Sequence, residues 1–74
     1  MFGKLKAGDK GKIIDISHVG RLVQRRLLDL GFTEGSEICV KCVMPFGGPI
    51  IIESSGQCIG IRLHEADRIE LERL

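Results

Sequence analysis

Apolar and polar side chains alternate over most of this chain, and the alternation gives way once, between residues 19 and 30, to a helical spacing. A first strand is predicted over 10–16, with Ile14 and Ile16 on one face and Ile13 on the other. Projected at about 100° per residue, Leu22, Val19, Leu30, Val23 and Leu27 gather in one arc, the core face of a helix over 19–30. Ser17 stands where an N-cap belongs, and Gly20 weakens the first turn. Gly31 is the expected left-handed stop, because only a residue without Cβ takes that conformation free of strain. Gly35 then serves a turn before Ile38, Val40 and Cys42 alternate along a strand over 37–43.

The rest of the chain is mostly strand. Residues 50–53 and 57–63 form a pair around a tight Ser54-Ser55-Gly56 turn. A single 3₁₀-like turn over 64–67 leads to a closing strand over 68–72. Before the first strand, residues 5–9 read as an arm closed by a Gly8-Asp9 turn. Five short strands, one inserted helix and several glycines predict a mostly β fold, a small barrel closed to hide its strand edges.

Size and charge narrow the function classes. A chain of 74 residues has room for one domain, 1–74, and no cavity for a large cofactor. Its formal net charge of +1, with acids and bases intermixed, gives no long-range field toward nucleic acid or an anionic membrane. No stretch approaches the roughly 20 apolar residues of a membrane helix, and the first residues do not form a signal peptide. Three cysteines, an odd number, point to a reduced, cytoplasmic protein.

Candidate chemistry is sparse. Cys39 and Cys42 have a CxxC spacing, but residues three apart in a strand face opposite ways, and Cys42 is expected in the core beside Ile38 and Val40. His64, Glu65 and Asp67 place three ligand types in one turn, either a weak, open Fe²⁺ or Zn²⁺ site or a solvated polar turn. Arg21 and Arg25 lie one helical turn apart with Leu28 beside them. They form either a docking face or a solvated basic surface, while Arg26 projects into the apolar arc. Phe46, between Pro45 and two glycines, either folds over the barrel mouth or stands exposed as an anchor. No nucleophile, base and orienting group are arranged for catalysis, so an enzyme is not expected.

The chain carries, in order, Leu5-x-x-Gly8, the 13–16 strand, Arg26-Leu27-x-x-Leu30-Gly31 with Gly35 after it, and Pro45-x-Gly47-x-Pro49-Ile50. Ile59-x-Ile61-Arg62 and Glu65-Ala66-x-x-Ile69 complete the set. Together these segments resemble the FeoA family of bacterial ferrous-iron transport accessory proteins. The resemblance implies an SH3-like barrel, with Gly31, Gly35 and Arg62 as structural residues and Arg62 bracing the barrel through hydrogen bonds. It also implies a cytosolic adapter that regulates FeoB, a ferrous-iron permease with a GTP-binding cytosolic domain, by protein–protein contact. Arg21, Arg25, Leu28 and Phe46 are the expected contact residues. Gly48 departs from the family, whose members often carry an acidic residue there, as does Gly60, where a larger residue is common. The alternative is a stand-alone transition-metal-binding or metal-sensing module, related to the C-terminal domain of iron-dependent repressors, with ligands from the 64–67 turn and a cysteine. A regulatory piece of a DNA-binding repressor is a third class, and this chain has no helix-turn-helix to support it.

Overall fold

A computed structural model of the chain describes residues 6–74. Leu5, the first residue of the expected N-terminal arm, lies outside the described residues. The arm closes as expected: the Asp9 N–H donates to the Lys6 carbonyl at 3.0 Å, and the Lys6 N–H donates to Asp9 Oδ2 at 2.9 Å. The elements that follow are β1 (Lys10–Asp15), α1 (Arg21–Asp29), β2 (Glu37–Val43), β3 (Ile50–Ser54), β4 (Gln57–Ile61), α2 (Leu63–Ala66) and β5 (Glu70–Arg73). The five strands make one antiparallel sheet in the order β4-β3-β2-β1-β5. Between its two end strands, β4 and β5, there is no hydrogen-bonded ladder, so the expected closure by strand pairing is not seen. The α2 turn links them instead, and it places Ala66 and Ile69 in the core.

That core is built from Ile13, Ile38, Val40, Ile50, Ile52, Ile59 and Ile61 on the inner face of the sheet, closed by Leu27 and Phe32 from the helix and its exit. β-Branched residues dominate because they pack well on a pleated surface.

Two β-bulges change which residues reach this core. In the β1–β5 pairing, Ile13 opposes Leu71 and Asp15 opposes Glu70, so Ile14 is an extra residue. Ile13 is therefore fully buried and Ile16 nearly so, whereas Ile14 is exposed, which corrects the expected pairing of Ile14 with Ile16. In the β2–β3 pairing, Val40 opposes Ile52 and Cys42 opposes Ile51, leaving Lys41 extra. Cys42 is thus turned out to solvent and is not a core residue.

The helix ends as read from the sequence but starts later. Ser17 does not cap it. Its N–H and Oγ both donate to the Asp15 carboxylate at 2.9 Å, a local turn that ends β1, and Gly20 occupies the N-cap. At the far end Gly31 has φ +88°, its N–H donates to the Leu28 carbonyl, and the Phe32 N–H donates to the Leu27 carbonyl at 2.7 Å. These are the two bonds of a Schellman motif, and Phe32 and Leu27, both fully buried, supply its apolar contact. Gly35, at φ +92°, donates to the Ile13 carbonyl and ties the helix exit to β1.

Candidate interaction surface

Because α1 begins at Arg21, Val19 reaches the core from the preceding turn, and the buried side of the helix narrows to Val23, Leu27 and Leu30. Leu22 lies about 100° from Val23 and about 140° from Leu27, outside that arc. It is 81% exposed, which overturns its expected place in the core. Arg26, expected within the arc, is also exposed, its long stem carrying the charge out to water. Leu28 is 46% exposed, on the outward side where the sequence places it. Arg21 and Arg25 are exposed beside it. Together Arg21, Leu22, Gln24, Arg25 and Leu28 line an open groove of about 430 Å³ on the outside of the helix. A second groove of about 390 Å³ adjoins it through Gln24 and Leu28, with Ile16, Thr33 and Glu34 along its other side.

Of the two placements open to Phe46, the structure takes the exposed one. The Met44 N–H donates to the Pro49 carbonyl at 3.1 Å, and the Gly48 N–H to the Pro45 carbonyl at 3.2 Å. Phe46 and Gly47 therefore sit at the two central positions of a tight turn, with φ values of +59° and +73°. The Phe46 ring is fully exposed, and Val43 and Met44 at the base of the turn are also substantially exposed. Gly48 has a structural reason to lack a side chain: a Cβ there would lie 2.8 Å from Met44 Cβ.

The 64–67 turn joins α2 to the start of α1. Glu65 is largely buried, and its Oε2 accepts the N–H of Gly20, the N-cap of α1, at 2.8 Å. In a capping box that bond comes from an acid at the third helical position, which here is Val23. The acid is supplied instead from 45 positions along the chain. Its Oε1 lies 3.8 Å from Nε2 of the exposed His64, an ion pair only when the ring is protonated. Nothing in the local sequence of α1 announces this bond beyond the lack of an acid in its first turn.

Arg62 does not brace the barrel with its side chain, which is exposed and makes no hydrogen bond among the described residues. With β4 ending at Ile61, Arg62 turns outward. Its carbonyl accepts the N–H groups of Glu65 and Ala66 at 3.0 and 2.9 Å, opening α2.

The cysteines are all free. Cys39 opposes Glu53 and Cys42 opposes Ile51, two residues apart on β3, so the bulge at Lys41 places both thiols on the outer face. The expectation of opposite faces fails for that reason. Cys42 Sγ donates to Met44 Sδ at 3.7 Å, and Lys41 pairs with Glu53 at 3.3 Å, a hydrogen bond that raises the lysine pKa. Among the described residues no three His, Cys, Asp or Glu side chains converge as a metal site requires.

Comparison with known proteins agrees with this geometry. The FeoA domain family matches residues 3–73. The solution structure of FeoA from Chlorobium tepidum is 33% identical, covering 99% of this chain and 69% of that one, with a TM-score of 0.88. The crystal structure of a FeoA described as an iron uptake regulatory protein is 32% identical over 99% of this chain and 95% of that one, at a TM-score of 0.79. FeoA from Stenotrophomonas maltophilia, an SH3 domain protein crystallised with zinc, is 24% identical over 96% of this chain and 87% of that one, at a TM-score of 0.71. That last likeness bears on the fold alone. No match is found among curated proteins. No helix among the described residues is long and apolar enough to cross a membrane. The chain, with its SH3-like fold, belongs to the FeoA family of non-enzymatic accessory proteins of ferrous-iron transport.

Proposed function

We propose that this chain is a cytosolic adapter that regulates a FeoB-type ferrous-iron permease by binding its cytosolic region. The binding surface is the outer side of α1, with Arg21, Arg25 and Leu28, together with Phe46 on the β2–β3 turn. One observation carries this reading: the outer side of the helix presents Leu28, nearly half exposed, beside two exposed arginines that form no ion pair among the described residues. Mixed arginine and apolar surface of that kind suits protein contacts. The adapter is held at the inner membrane only through its partner.

Titrating the labelled protein with the transporter's purified cytosolic region tests this. Amide shifts are expected to cluster at residues 21–28 and around Phe46. Leu28→Glu should keep the fold and weaken binding by about tenfold, the usual scale for a central interface residue. Unchanged affinity in that variant would remove the helix from the surface.

A further inference from the structure

We infer that the outer face of α1 is shaped for an acidic, amphipathic helix, whose carboxylates face Arg21 and Arg25 while its apolar side chains meet Leu22 and Leu28. The inference rests on the adapter reading and adds to it the chemical character of the segment that docks. Its starting point is a helix charged the wrong way for its own stability. Arg21 is the first helical residue, where the exposed N–H groups already carry partial positive charge, and the first turn contains no acid. Arg25 follows one turn later, in the middle of the helix, so a second like charge stacks on Arg21. Neither these two nor Arg26 makes an ion pair among the described residues. By contrast, Arg73 is paired with Asp9 at 3.0 Å and Lys41 with Glu53 at 3.3 Å. α1 thus holds three arginines against one acid, Asp29, which forms no ion pair with them among the described residues, and an anionic partner would balance the excess.

The spacing selects the shape of that partner. Arg21 and Arg25 rise about 6 Å along the axis and lie about 40° apart around it. Carboxylates at i and i+4 of a second helix have the same rise, so two helices laid side by side can match charge to charge. Leu28 lies about 20° to one side of Arg21, and Leu22 about 60° beyond Arg25 on the other. The arginine pair is thus flanked by a leucine on each side, and all four line the groove of about 430 Å³. An occupant with acids along its middle and apolar residues on both flanks fills that groove and removes Leu22 from water. Amphipathic helices commonly dock in surface grooves through apolar anchors, the part that Leu22 and Leu28 would receive. A second copy of this chain fits poorly, because a symmetric contact through α1 would set arginine against arginine.

The test compares binding of the transporter's purified cytosolic region at low and high salt, for the unmodified chain, Leu22→Gln, Arg21→Gln/Arg25→Gln, and Lys12→Gln as a charge control away from α1. All four altered side chains are exposed, and melting curves confirm that each variant folds. The arginine double variant is expected to weaken binding about tenfold or more at low salt and to flatten the salt dependence, as loss of complementary charge does. Leu22→Gln should weaken binding several-fold at both salts, and Lys12→Gln should leave it within about twofold. If the unmodified chain binds while the arginine and leucine variants bind equally well, this inference falls and the adapter reading stands. Absence of binding by the unmodified chain overturns both. Arginine-dependent binding to phosphatidylglycerol vesicles, with the transporter contact unchanged, would replace the acidic helix by a membrane surface.

Discussion

Asparagine at position 46 should stabilise the isolated protein, a result opposite to what removing a large apolar side chain usually gives. Phe46 and Gly47 have φ values of +59° and +73°, the backbone of a type I′ turn, whose preferred sequence is Asn-Gly. A residue with a Cβ carries about 1–2 kcal/mol of strain in that region, and asparagine carries less because its short side chain bonds locally. Nothing offsets the strain for Phe46, since the ring is fully exposed and buries no area. Phe46→Asn is therefore expected to gain about 1 kcal/mol, a rise in melting temperature of roughly 4–8 °C for a domain of this size. Phe46→Gly relieves the same strain but loosens the unfolded chain by about 0.4–1 kcal/mol, so it should fall between asparagine and phenylalanine. Thermal unfolding followed by circular dichroism, at one pH and one salt, gives the order directly. A melting temperature for Phe46→Asn at or below that of the unmodified chain would mean that the ring packs in solution and that the turn is not strained as argued. In the transporter titration the same variant should bind less well, making Phe46 a residue kept at the expense of stability.

Other substitutions probe the joints of the fold. Gly31→Val is expected to cost more than about 1 kcal/mol, because φ is +88° while open space surrounds the new Cβ, so backbone strain acts alone; an unchanged melting temperature would show that the helix does not end in a Schellman motif. Glu65→Ala removes the acceptor of the Gly20 N–H and should cost about 1–2 kcal/mol, with Glu65→Gln recovering part of it through its remaining oxygen; denaturant midpoints for the two variants measure this. The two Ser17 donors hold the Asp15 pKa below 3.8, the backbone N–H contributing most. A depressed folded-state value means that Asp15 supports the fold above about pH 3.8 and loses that contribution as pH falls through its lower folded value. Carboxyl chemical shifts should place its midpoint below 3.8, and Ser17→Ala should move it upward without restoring the ordinary value, since the N–H remains.

Much of the architecture is legible in local sequence where the rule involved is local. The 37–43 strand coincides with β2 because its limits lie in neighbouring turn residues, and Gly31 announces the helix end because positive φ is a property of one residue. What fails is whatever depends on a partner strand. A bulge is defined by pairing, so the exposure of Ile14 and the outward turn of Cys42 have no signature in their own segments. The late start of α1 is a related case. Ser17 looks like an N-cap in isolation, but Asp15 two residues earlier captures it, and the cap comes from Glu65 across the fold. Shifting that start moved Leu22 from the expected core to the surface, so the candidate groove was only partly readable: Arg21, Arg25 and Leu28 are visible in the periodicity and Leu22 is not.

These discrepancies divide into two kinds, and the division is what points to function. Ser17, Ile14, Cys42 and the missing acid in the first turn of α1 break local expectation, yet each is accounted for inside the fold by a turn, a bulge or the Glu65 cap. Arg21 at the positive end of a helix, Leu22 in water and Phe46 at positive φ also break local rules, and no contact within the described fold compensates them. Residues of the first kind adapt the chain to its own architecture. Those of the second cost stability in the free protein, and a cost left uncompensated in the monomer is expected where binding supplies the missing interaction. That criterion separates Glu65, whose carboxylate the fold itself employs, from the arginine–leucine face and the Phe46 turn. The latter two gain no compensation among the described residues, and they are where the proposed transporter contact should be sought first.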